Sequence, residues 1–275
     1  MAGHSEGERW AQDLLRKLRE DRWHPRACAR FMMASLTRAR QTAAARPKLA
    51  REAHRYSIAG FLAATSGSVL MRKAGLATAS PRANAAWALA SGAMLWWHIG
   101  MVEGLHGEPR HALSAADAVT YARVLAAPAM LAAADDRRLF VSLLAAGGGT
   151  DALDGVLARR VGCSRLGRDL DAAADVTFFT AAALAAHRAD FLAGPVVAAL
   201  MARELSLVGV SALHYFAHAA PPPPEAVGAT RFAGPALTLG LTLAGSGKRT
   251  LGGVVVTAAA GAATVAHARV LAGAG

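Results

Sequence analysis

The sequence predicts an all-α fold, a polytopic transmembrane bundle of about eight spanning helices. Three observations carry this. Of the 275 residues, 54% are hydrophobic and 18% charged, and the mean hydropathy is +0.28. The apolar residues gather into blocks close to the ~20 residues a helix needs to cross a bilayer. Blocks such as 85–102 and 251–266 show no polar face, so the competing fold, a soluble bundle rich in Ala, would leave oily surface in water.

Taken in order, residues 1–56 form a basic lead-in, where Arg9, Arg16, Lys17, Arg19, Arg22, Arg26, Arg30 and further cations outnumber the acids. Trp10, Leu14, Leu15 and Leu18 recur at helical spacing. Two readings fit them: a helix lying on the membrane surface, or a solvated charged helix packed on nothing in particular. Ser57–Met71 and Ala85–Val102 are the first apolar blocks. Trp96 and Trp97 near the end of the second suit a membrane interface, and His98 beside them reads as a satisfied or interfacial histidine rather than a ligand. The remaining blocks are Ala118–Ala134, Leu139–Leu157, Ala172–Ala186, Phe191–Leu213, Phe232–Ala244 and Leu251–Leu271. Pro221–Pro224 is a stiff polyproline stretch and reads as a loop.

The formal charge of +11 would raise nucleic acid as a partner for a soluble protein. On an oily chain it reads instead as attraction to anionic lipid head groups, with no nucleic acid involved. Cys28 and Cys163 are too few and too isolated for a disulfide framework or a zinc site. The start MAGHSEGERW is polar with no short apolar core behind it, so no cleavable signal peptide is expected. Positive charge in short loops sets orientation. The basic N-terminus predicts a cytoplasmic start in the cell membrane, and Arg159, Arg160, Arg165 and Arg168 then fall on the cytoplasmic side. Arg72, Lys73, Arg82, Lys248 and Arg249 fall outside and vote against this orientation.

The stretch 151–175, DALDGVLARRVGCSRLGRDLDAAAD, sets four carboxylates in this setting: Asp151, Asp154, Asp171 and Asp175. Carboxylates at membrane depth are expensive and mark function. The spacings i, i+3 and i, i+4 put each pair on one helix face. Two such faces brought together make a cage of oxygens whose mutual repulsion calls for hard divalent cations, Mg²⁺ or Mn²⁺. Gly155 lets a ligand approach the backbone, and Arg159 offers a fixed cation for a phosphate.

The pattern D-x2-D-G-x2-A-R-x7-G-x3-D-x3-D, met by Asp151, Asp154, Gly155, Ala158, Arg159, Gly167, Asp171 and Asp175, resembles the signature of the CDP-alcohol phosphatidyltransferase family. The earlier stretch ADAVTYARVLAAP resembles the family's entry to its first core helix. Thr120, Arg123 and Pro128 fit there, whereas Asp117 stands where Asn is common and Ala116 where Pro is common. The resemblance implies a six-helix catalytic core over residues 111–275, preceded by the basic segment 1–56 and two additional spans in 57–110. It implies transfer of a phosphatidyl group from a CDP-linked lipid donor to an alcohol acceptor with release of CMP, in phospholipid biosynthesis. Two metal ions, Mg²⁺ or Mn²⁺, would be held by Asp151, Asp154, Asp171 and Asp175, with Asp175 as the base. Thr120, Gly155, Ala158, Arg159, Ser164 and Gly167 would serve the nucleotide part of the donor. For Ser164 a plain loop role fits equally. A homodimer through core helices also follows from the resemblance.

The acceptor is not legible. Arg203 and Glu204 sit mid-block in 191–213; Arg203 either holds an anionic acceptor or forms a structural pair. The chain departs from the glycerol-phosphate-using branch at Gly234–Thr238, where two lysines common to that branch are missing, with Arg231 as partial compensation. Two other functions compete. One is an Asp-rich intramembrane prenyltransferase, disfavoured because no second Asp-rich motif follows. The other is a non-catalytic membrane protein that kept the site, disfavoured by the retention of four costly aspartates.

Overall fold

The computed structural model describes residues 6–104, 107–161, 164–218, 230 and 232–273; for 151–161, 218 and 271–273 it describes the backbone alone. Pro221–Pro224, Arg231 and Cys163 therefore lie outside the description. The order of α-helices is α1 Glu6–Glu20, α2 Pro25–Ala45, α3 Pro47–Lys73, α4 Pro81–Trp97, α5 Ala115–Ala132, α6 Arg137–Val161, α7 Arg165–Arg188, α8 Gly194–His218, α9 Ala233–Gly245 and α10 Arg249–Gly273. Among the described residues there is no β-strand, only two isolated bridges, Glu103–Pro109 and Gly104–Ser164.

Local chemistry sets several of the starts. Pro25, Pro47 and Pro81 open α2, α3 and α4, where a fixed φ and a missing N–H do no harm. The Ser80 hydroxyl accepts from Ala83 N at 3.1 Å. Ser114 and Asp117 form a capping box at the head of α5. The eight apolar blocks fall wholly or largely within α3 to α10. The second ends early: α4 stops at Trp97, and Ile99–Met101 is a 3₁₀ turn. His98, between them, has its Nδ1 at 2.7 Å from Met94 O.

Among the described residues, two helical stretches are long and apolar enough to cross a bilayer, Gly194–Ala217 of α8 and Arg249–Val270 of α10. At 13 residues, α9 measures only about 20 Å against the ~30 Å of a hydrocarbon core. Exposed Leu205 and Leu213 on α8, and Val254 and Val265 on α10, give both stretches an oily outer surface. Inward, Phe140, Leu144, Leu200, Leu237, Leu241 and Val256 are fully buried with a run of α7 alanines at 181–183 and 185–186. Small residues let helices approach closely. At the α9–α10 crossing, a Cβ on Gly252 would lie 2.5 Å from Gly240 O.

The reversals after α5, α7 and α9 share one end of the bundle. There Phe140 of α6 meets Phe191 at 5.2 Å and packs where Gly245 has no side chain, and Asp190 pairs with Arg249 at 2.9 Å. The opposite end gathers the heads of α5 and α7 and the N-terminal helices.

The apolar face of α1 is used differently from either expectation. Leu15 and Leu18 are buried inside the protein, and the Arg38 guanidinium of α2 lies 4.7 Å over the Trp10 ring. The face packs on the chain itself, because α2 and the end of α8 supply a partner; Trp23, in the α1–α2 turn, meets Phe216 edge-on at 5.3 Å.

Candidate active site

The site grows from α5 and α7, which pack along one another with their heads at the same end. Asp171 and Asp175 stand one turn apart on α7, and both turn to Arg123 of α5. Its Nη2 bonds Asp171 Oδ1, and its Nη1 lies 3.1 Å from Asp175 Oδ1. The Arg123 side chain is 3% exposed, Asp171 46% and Asp175 30%. A buried guanidinium thus underlies two partly exposed carboxylates. Thr120, one turn before Arg123, is also buried and donates to Ala116 O at 3.0 Å.

Ser164 and Gly167 stand at the head of α7, and the structure gives both a packing reason. Ser164 is the N-cap: its hydroxyl accepts from Gly167 N at 2.8 Å and donates to Asp117 Oδ1 at 3.3 Å. A Cβ on Gly167 would lie 2.5 Å from that same Asp117 oxygen. Asp117 is buried, and its other oxygen accepts from Ser114 N at 2.7 Å. Its charge suits the positive end of α5. Asp117 therefore ties the heads of α5 and α7 together.

Asp151, Asp154, Gly155, Ala158 and Arg159 all lie on the last turns of α6, whose side chains in 151–161 are outside the description. Helical spacing puts 151, 154, 155 and 158 on one face. From Val161 to Ser164 the chain reaches at most ~11 Å, so the end of α6 and the head of α7 share one end of the bundle. Among the described residues no group of three or more His, Cys, Asp or Glu side chains is placed to hold a metal. Two partly exposed carboxylates one turn apart are nevertheless the hard-oxygen chemistry a divalent cation takes.

Arg203 is not among the residues these contacts bring together. On α8 its Nη1 bonds the Glu204 carboxylate, with both side chains buried. Sequence reasoning quoted Arg123 and Asp117 without giving either a task. The signal for Arg123 was present: a lone cation inside the block 118–134.

Fold and site together define a helical protein in which, among the described residues, two helices are long and apolar enough to cross a membrane and two carboxylates converge on one arginine near one end of the bundle. A family model, CDP-alcohol phosphatidyltransferase, matches residues 113–268, more than half of the chain, and the chain belongs to that family. The family is a class of phosphotransferases. No match was found among curated proteins or among solved structures.

Proposed function

We propose that the chain transfers a phosphatidyl group from a CDP-linked lipid such as CDP-diacylglycerol to an alcohol, with release of CMP, at the cytoplasmic face of the cell membrane. The observation that carries this, beside family membership, is the Asp171–Asp175 pair converging on buried Arg123 at the head end of α7. Asp151, Asp154, Asp171 and Asp175 would hold two Mg²⁺ or Mn²⁺ ions. Such ions, when bound, neutralise charge on the attacking and leaving oxygens. Asp175 takes the proton of the acceptor hydroxyl as its oxygen attacks phosphorus. The new P–O bond forms as the bond to CMP breaks, and CMP leaves as a stable phosphate, so no covalent enzyme intermediate is required. Thr120, Gly155, Ala158 and Arg159 hold the nucleotide end of the donor. Ser164 and Gly167, whose polar atoms and space are taken up at the head of α7, serve by shaping that end. Arg203 orders α8 through Glu204 rather than binding the acceptor.

In this reading residues 111–275 form the catalytic core, 57–110 two further spans, and 1–56 a cytoplasmic segment; the chain pairs as a homodimer. Family membership favours this over the prenyltransferase alternative. The test is CMP release from CDP-diacylglycerol by purified protein with Mn²⁺ or Mg²⁺ across a panel of alcohols, the lipid product read by mass. Release with a lipid product of the expected mass supports the proposal. A folded preparation that releases no CMP, with CDP-diacylglycerol or with CDP-linked amino alcohols, overturns it.

A further inference from the structure

The residues before the family match make a buried ionic contact with the active-site end of α7. Arg165, the first residue of α7, is buried, and its Nη1 bonds the Glu103 carboxylate. Its Nε lies 3.5 Å from Glu8 Oε1 of α1. The main chain joins the same contact. Arg165 N donates to Glu103 O at 2.9 Å, and Gly104 bridges Ser164. Ser164 in turn holds Asp117 of α5. Gly7 gives α1 its approach, since a Cβ there would lie 2.6 Å from Glu103 Oε1 and 3.1 Å from Arg165 Nη1.

A buried charge cluster is a poor way to gain stability, because apolar residues of similar volume often do as well or better. Its distinctive property is direction: an arginine fork between fixed carboxylates accepts few orientations. The helix transmits that direction. Asp171 and Asp175 follow Arg165 by about 9 and 15 Å of rise, so a tilt at the head of α7 displaces both. We propose that the N-terminal segment is a clamp on the catalytic core, with Arg165 as a positioning residue that Glu103 and Glu8 hold so that α7 presents Asp171 and Asp175 correctly. This rests on the functional reading above for what the two aspartates do.

The test uses the full chain and three variants: Gly7→Ala, which keeps every charge and wedges the contact; Glu103→Gln; and Arg165→Lys, which keeps the charge and loses the fork. Three readouts are taken: hydrogen exchange across α7 and α10, Mn²⁺ affinity by calorimetry, and kcat and KM for CDP-diacylglycerol. Gly7→Ala and Glu103→Gln are expected to speed exchange at 165–171 but not in α10, and to weaken Mn²⁺ several-fold. In the same variants kcat falls roughly tenfold to a hundredfold, the scale on which ~1 Å misplacement acts, while donor KM stays within about twofold; Arg165→Lys falls between. Unchanged exchange at 165–171, equal acceleration in α10, or local loosening with Mn²⁺ affinity and kcat intact would each overturn the clamp. A wild-type protein that neither binds Mn²⁺ nor turns over donor defeats the functional reading instead, and exchange at 165–171 still decides whether the clamp exists.

Discussion

Arg123 is almost fully buried against two carboxylates that water still reaches, so its loss falls unequally on the three groups. Arg123→Ala is expected to destabilise the protein by about 1–3 kcal/mol, less than the ~3–5 kcal/mol for a wholly buried pair, because solvent screens the aspartates. Their repulsion then depends on an added cation. The thermal midpoint of the variant should therefore rise more with Mn²⁺ than that of the wild type, and an equal or smaller rise counts against the site. Asp175→Asn keeps the shape and removes the base, so transfer should fall by about 10²–10⁴-fold while donor binding persists; near-normal turnover refutes the role. At this scale the sequence was informative about types and spacing. Asp171 and Asp175 were legible because i, i+4 is a local relation, whereas the meeting of Asp171 with Arg123 across 48 residues, and of Asp175 with it, was not.

Among the elements, α8 and α10 carry the membrane reading, and α8 offers a clean discrimination. Leu205 is 68% exposed. In a soluble bundle Leu205→Asp would change stability by no more than about 0.5 kcal/mol. In a bilayer it adds roughly 2.5–3.5 kcal/mol to the insertion of α8, and a membrane-insertion assay should show the segment entering poorly. The α9–α10 crossing makes a second demand. Gly252→Val is expected to cost about 1–3 kcal/mol through overpacking, read as a lower thermal midpoint in lipid nanodiscs, because Gly240 O and Ala244 N already crowd the position. The apolar blocks announced α3 to α10, since burial and lipid exposure both demand apolar side chains. They said less about span length: the block 85–102 runs past the end of its helix at Trp97, and α9, like its block, is only 13 residues long.

For the whole molecule, alternating reversals put the candidate site and the N-terminal helices at one end and the Asp190–Arg249 pair at the other. If the N-terminus is cytoplasmic, a cysteine placed at Lys248, between α9 and α10, should react with an impermeant thiol reagent from outside the cell. Labelling only after the membrane is opened would invert the orientation. The sequence by itself determined the helical class, the family signature and the carboxylate spacing, because composition, periodicity and i, i+4 relations are properties of contiguous chain. Only the tertiary structure decided that Arg123 underlies Asp171 and Asp175, that Asp117 ties the heads of α5 and α7, and that α1 spends its apolar face on the protein. The same holds for the bond from Arg165 back to Glu103, 62 residues away. Those contacts join segments far apart along the chain, and no local pattern specifies which buried charge a distant helix will meet.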